Sequence, residues 1–259
     1  MTTFERGMAT FDIAESRFAM GQRAAADIAR EIRVCLEKQA DVRIVFAAAP
    51  SQSEMLAALL REERVDWSRV TAFHMDEYIG LPAGARQRFG LWLRRAIFDH
   101  LPFSAAHLIE PGENPERAAE DYSEKLNAAP IDIVCCGIGC NGHLAFNDPP
   151  ANFADPLTVK IVELDPTCRQ QQVDDKCFAS LKDVPTHALT VTIPRLVAAN
   201  AIFCCVPGAL KREAVRRVLS EPVNPMCPAT VLRTHPRCVI YLDPDSAAET
   251  AEVKALQKA

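Results

Sequence analysis

Short, continuously apolar runs alternate with longer amphipathic stretches along most of the chain. The runs at 42–48 (VRIVFAA), 69–75, 131–136 (IDIVCC), 201–206 and 238–242 are too short for helices and lack a polar face. That pattern predicts strands buried on both sides, and 188–192 predicts one more. Between them, apolar residues recur at helical spacing. Residues 12–38, free of proline, predict a long helix, and 86–100 places Phe89, Leu93 and Ile97 on one face. Residues 115–127 predict a helix with proline in its first turn. Shorter helices are predicted after Ser51–Ser53 to about Leu60, at 194–199, at 209–219 and from about Ser246. This alternation argues for an α/β fold of three layers: a mostly parallel open sheet with helices on both faces.

The pattern fails between 151 and 187, which is polar and irregular apart from a strand predicted at 158–163. A stretch of that length is too long for a passive connection and predicts a lid or binding flap. With no internal repeat and no flexible linker, residues 1–259 are expected to form a single domain.

Composition narrows the function classes. The 259 residues are 49% apolar and 24% charged, an ordinary globular balance. A net charge of −5 with no basic cluster argues against a nucleic-acid partner. No apolar run reaches the length of a membrane helix and the N-terminus lacks a signal pattern, so a cytoplasmic protein without membrane partners is expected. None of the ten cysteines forms a C-x-x-C pair, and no Cys/His grouping has zinc-ligand spacing, so reduced and mostly buried thiols are expected. Cys140 alone lies in a glycine loop where it could face a ligand.

In an open α/β sheet, ligands bind beyond the carboxyl ends of the strands. Ser51-Gln52-Ser53 follows the first such strand at a helix start, where hydroxyls and free N–H groups suit an anion. Asp76-Glu77-Tyr78 follows the second. Gly137-Ile-Gly139-Cys-Asn141-Gly142-His143 follows the third, leading into Phe146-Asn147-Asp148. Lys211 stands in the first turn after 201–206. Two anion seats, two acidic loops and a histidine thus converge on one edge. Residues 137–142 also match G-x-G-x-x-G, but a dinucleotide site needs a helix at the third glycine. Pro149 and Pro150 follow seven and eight residues later and leave room for barely two turns.

Two segments, Phe73-His-Met-Asp-Glu-Tyr-Ile-Gly-Leu-Pro82 and Gly137-Ile-Gly-Cys-Asn-Gly-His-Leu-Ala-Phe-Asn-Asp-Pro149, resemble the signatures of glucosamine-6-phosphate deaminases. These are sugar-phosphate isomerases related to 6-phosphogluconolactonases. Ala188-Leu-Thr-Val, Val206 to Lys211 and Leu232-Arg-Thr-His-Pro236 also fit, in the right order over nearly the whole chain. The resemblance implies a Rossmann-like sheet and a small-molecule sugar phosphate as partner. It implies ring opening, a proton shift between C2 and C1, and loss of ammonia to give fructose 6-phosphate, the work of an isomerase/deaminase of the hydrolase class. It requires no metal and no organic cofactor, and it allows a homo-oligomer.

Residue by residue, Asp76 stands where the family has its base and His143 where it has the ring-opening histidine. Asp148 stands where the family usually has Glu, one methylene longer, which predicts a weaker or water-bridged contact to the imidazole. Asn141 stands where members have Asp or Asn. Gly137 and Gly139, in a tight turn, are expected among the substrate-binding residues, and Lys211 matches a phosphate-binding lysine. The chain departs from the family in the phosphate loop. Ala49-Pro50-Ser51-Gln52-Ser53-Glu54 replaces a Gly-Gly loop, and the lid arginine has only Lys176, or Arg169, as counterpart. Another amino sugar, or a non-phosphorylated one, therefore stays open as substrate. So do a lactonase and a sugar-phosphate sensor without turnover.

Overall fold

The computed structural model describes residues 2–248 and residue 250. The main sheet has eight strands in the order β1-β2-β11-β10-β7-β3-β4-β6. These are β1 (Thr2–Arg6), β2 (Ala9–Ile13), β3 (Val42–Phe46), β4 (Val70–His74), β6 (Ala105–His107), β7 (Ile133–Cys136), β10 (Ala201–Val206) and β11 (Cys238–Leu242). All neighbours run parallel except the β1–β2 hairpin at the edge. Successive residues of the inner strands go to opposite faces. Ile44, Phe46, Ile133, Cys135 and Cys205 join one apolar cluster, and Val45, Val134, Cys136 and Cys204 join the other. Burial on both faces is why these strands carry no polar alternation.

Helices cover both faces. α1 (Arg17–Leu36), α2 (Ser53–Leu59) and α3 (Phe89–Leu93) pack on one side through Met20, Ile28, Met55 and Leu93. α4 (Pro115–Asn127), α6 (Ile193–Val197), α7 (Arg212–Ser220) and α8 (Pro244–Ala247) pack on the other through Tyr122, Leu196, Val215 and Ala247. Asp243 caps α8, accepting from Ser246 N–H at 2.8 Å. Residue 249 and residues 251–259 of the predicted terminal helix lie outside the described residues.

Several predicted elements are corrected. The helix expected from residue 12 starts at Arg17, capped by Ser16. Residues 2–13 form instead the hairpin, turning at Gly7 with φ 63°. The expected helix 86–100 keeps its apolar face but divides into α3 and a π-helical turn at Arg94–Phe98. The strand at 188–192 does not join the main sheet. It forms β9 (His187–Val191), the centre of a small antiparallel sheet with β5 (Asp76–Tyr78) and β8 (Val159–Glu163). The irregular 151–187 stretch contains, besides β8, a helix α5 (Pro166–Asp174). None of the helices in the described residues is long and apolar enough to cross a membrane.

Candidate active site

The site lies where the chain leaves the main sheet. After β4, one residue, Met75, turns the backbone out of that sheet, and Asp76 opens β5 opposite Thr190 of β9. Val191 N–H donates to Met75 O at 2.8 Å and holds the turn. β9 also anchors the histidine loop. Thr190 Oγ1 accepts from Phe146 N–H at 3.0 Å, and Asn147 Nδ2 donates to Val191 O at 2.9 Å. One strand of the small sheet therefore brings Asp76 and His143 to the same cavity.

That cavity, of about 60 Å³, is lined by Asp76, His143, Gly139, Ser51, Gln52 and Lys211, among others. Asp76 is buried, and none of the described residues donates a hydrogen bond to its carboxylate. Burial, and then the Glu77 carboxylate beside it, push Asp76 well above the usual carboxylate range. A raised carboxyl is a stronger proton acceptor once ionised, which suits a base. Glu77 turns the other way. Its oxygens accept from Phe89 and Gly90 N–H, both at 3.0 Å, and so cap α3. Burial raises Glu77 to about 7 despite these bonds. His74 accepts from Ile109 N–H at 2.8 Å, and burial lowers it to about 3, so it serves as a neutral core residue.

His143 is oriented by two partners. Its Nδ1 lies 2.8 Å from Asn141 Oδ1 and 3.1 Å from Asp148 Oδ1. Both are acceptors, because Asn141 Nδ2 donates to Asp148 at 2.9 Å and Asn141 Oδ1 also accepts from His143 N–H at 3.0 Å. The proton therefore sits on Nδ1, and the Nε2 lone pair is free for a ligand. The contact from Asp148 is direct, which corrects the weaker or water-bridged one expected from the shorter side chain. Asp148 also accepts from Asp165 N–H at 3.2 Å. Burial alone would raise its carboxyl, but the hydrogen bonds from His143, Asn141 and Asp165 N–H hold it below the usual range.

The imidazole lies flat against Gly139. A Cβ added there would fall 2.1 Å from His143 Cε1 and 2.2 Å from Nε2. Gly139→Ala is expected to displace the ring and to cost on the order of 10²-fold in kcat or more, as loss of an acid–base group does. Steady-state kinetics, with circular dichroism as a check on folding, measures this.

The anion seat is only partly as expected. Lys211 is buried and reaches the cavity, its Nζ donating to Cys140 Sγ at 3.6 Å. Burial outweighs this lysine and keeps the Cys140 thiol raised. Gln52 is buried, and its Nε2 donates to Cys205 O at 3.2 Å and Ser51 Oγ at 3.0 Å. Both amide hydrogens are thus used inside the protein. Ser53 does not line the cavity. It borders a separate hollow on the far side of α2 with Glu54 and Arg61. Glu54 faces Arg17 at 2.7 Å rather than the site. Lys176 is exposed and lines an adjoining hollow of about 460 Å³ with Arg86 and Trp92. Arg169 donates to Leu181 O and Val184 O and pins the 151–187 segment. The structure adds Gln171 and Gln172 of α5, which wall both the cavity and the adjoining hollow. Gln171 Oε1 accepts from Cys140 N–H at 2.8 Å.

Residues 15–241 match the family described as glucosamine-6-phosphate isomerases/6-phosphogluconolactonase. The chain belongs to this family. Among curated members of the isomerase/lactonase family, the glucosamine-6-phosphate deaminase of Bacillus cereus (strain G9842) is 35% identical over 199 residues, 76% of this chain and 74% of that one. A solved monomeric glucosamine-6-phosphate deaminase superposes with a TM-score of 0.84 at 24% identity, over 92% of this chain and 98% of that chain. The 6-phosphogluconolactonase of Thermotoga maritima superposes with a TM-score of 0.75 at 16% identity, over 91% of this chain and 99% of that chain. At these identities the two structures speak for the shared fold.

Proposed function

We propose that this chain converts glucosamine 6-phosphate to fructose 6-phosphate and ammonia. The observation that carries the reading is a free carboxylate, Asp76, and a free imidazole nitrogen, Nε2 of His143, on one cavity. The two groups match the two proton transfers the reaction needs. His143 Nε2 takes the anomeric hydroxyl proton and returns it to the ring oxygen, which opens the ring. Asp76 removes the proton from C2 and delivers it to C1, while O1 gains a proton and the amine gives one up, leaving a hydroxyl at C1 and an imine at C2. Water adds there and ammonia departs. This is isomerase chemistry with loss of ammonia. The hydrolase class expected from the sequence has support only in the lactonase neighbours.

Gln171 and Gln172 stand between the cavity beside Asp76 and the adjoining hollow, so their displacement would let the sugar reach from one into the other. On this reading α5 is the moving part of the lid expected over 151–187. The ten free thiols suit a reducing, cytoplasmic setting.

The test is ammonia release coupled to formation of fructose 6-phosphate. Opening of a phosphorylated sugar lactone without ammonia would favour the lactonase instead. Lys211 is the cation that reaches the cavity, and a charge-assisted hydrogen bond is worth about 1.5–3 kcal/mol. Lys211→Ala is therefore expected to raise KM for the phosphorylated sugar about 10- to 150-fold, with little effect on glucosamine itself. An unchanged KM would place the phosphate elsewhere.

A further inference from the structure

Around the imidazole, the fold assembles a group of side chains that no spacing in the sequence announces. His143, Asp148 and Cys168 each offer a ligand atom, and these atoms all lie within 4.8 Å of one another. His143 and Asp148 come from one loop, and Cys168 from the first turn of α5, where it is 1% exposed. The geometry points to a zinc site at His143, Asp148 and Cys168 whose occupation switches the imidazole off.

The donor set selects the metal. A thiolate, an imidazole and a carboxylate suit Zn²⁺ and not the hard cations Mg²⁺ or Ca²⁺. Tetrahedral zinc at its usual bond lengths needs ligand atoms about 3.3–3.8 Å apart, so closing the site takes movements of about 1 Å. One pair, His143 Nδ1 and Asp148 Oδ1, already stands 3.1 Å apart. Asp148 borders a hollow of about 400 Å³ with Glu163 and Asp165 on its wall. The cation on that wall, Lys160, is paired with Asp155 at 2.8 Å. The approach is therefore acidic and favours a cation.

Binding at Nδ1 has a chemical consequence. Nδ1 and the thiol give up one proton each to solvent or buffer, since a coordinating thiol is deprotonated by the metal. The neutral imidazole then carries its remaining proton on Nε2. That nitrogen changes from acceptor to donor and can no longer take the anomeric proton. Zinc binding itself is independent of the deaminase reading. Only the effect on turnover rests on it.

The experiment titrates the full-length protein with Zn²⁺ and, in parallel, with Co²⁺. We expect one equivalent to bind, Co²⁺ to give a thiolate charge-transfer band in the near ultraviolet, and Zn²⁺ to suppress ammonia release reversibly by chelation. Cys168→Ser is expected to retain activity without metal, to lose the cobalt band, and to weaken Zn²⁺ binding. The weakening should exceed the about 10- to 100-fold typical for loss of an outer partner. Cys168→Ala serves if the serine variant does not fold. Absence of the cobalt band in the unmodified protein, or Zn²⁺ affinity unchanged without the Cys168 sulfur, overturns the site. Binding with the cobalt band but without inhibition overturns the switch. Absence of ammonia release in metal-free protein bears on the proposed reaction and leaves the metal titration to be read on its own.

Discussion

Asp76→Asn is expected to abolish deamination while making the protein more stable. The two effects have one cause. The carboxylate is buried, receives no hydrogen bond from the described residues, and sits beside the Glu77 carboxylate. Burial of an uncompensated charge opposes folding, and the same burial strengthens it as a base. Removing a general base costs about 10²–10⁴-fold in kcat, with KM largely kept because asparagine has the same shape. The sign of the stability effect follows from linkage. A carboxyl raised in the folded state makes its full contribution below its ordinary value near pH 4, and that stability is lost as pH rises through the raised value. The amide cannot ionise and escapes that loss. The variant should therefore melt above the parent at neutral pH, and the gap should narrow toward pH 4. In the parent, activity should climb with pH as Asp76 ionises. Near-normal kcat in the variant removes Asp76 from the chemistry, and a lower melting temperature at neutral pH contradicts its uncompensated burial.

This arrangement explains what was readable beforehand and what was not. The inner strands were readable because burial on both faces erases polar positions, as in Val42–Phe46 and Ala201–Val206. The residues at their carboxyl ends followed from topology alone, and Asp76, His143, Ser51, Gln52 and Lys211 do meet at one cavity. The hairpin at the start escapes the sequence pattern although Ala9, Phe11 and Ile13 are buried in strict alternation with Thr10 and Asp12. The helix predicted from residue 12 overlaps only Asp12 and Ile13 of β2, since the absence of proline up to residue 38 gives no signal for a later start. Helix α5 escapes the pattern for a deeper reason. Its buried residues are Cys168, Gln171 and Gln172, so it has no apolar stripe. A helix that faces a polar cavity buries polar side chains, and hydrophobic periodicity cannot detect it. Ser53 illustrates the converse. It directly follows the cavity residues Ser51 and Gln52, yet the turn from Pro50–Gln52 into α2 directs it to the other side. β9 reads as an ordinary buried strand, and nothing local in it announces that it aligns Asp76 with the histidine loop. That information resides in pairings across more than forty residues, such as Phe146 N–H to Thr190.

His143→Gln is expected to separate ring opening from the steps after it. Glutamine can keep a hydrogen bond toward Asn141 and Asp148, so the loop from Gly139 to Asp148 has reason to stay folded. Its amide cannot act as a base at the position of Nε2. The cyclic sugar then has no group to carry the anomeric proton to the ring oxygen, and kcat should fall about 10²–10⁴-fold. An open-chain aldehyde analogue bypasses that step and still meets Asp76, so its rate should fall far less. Equal slowing of both substrates would assign His143 to the C2 proton shift or to binding. Asp148→Asn should fall between the parent and His143→Gln. It removes the carboxylate that holds the Nδ1–H tautomer, while the 2.8 Å contact to Asn141 Oδ1 survives. The imidazole would then keep its base but lose part of its orientation and the charge that stabilises the imidazolium. The defect of this variant should therefore appear with the cyclic sugar and vanish with the open-chain one, because Asp148 acts only through the ring it orients.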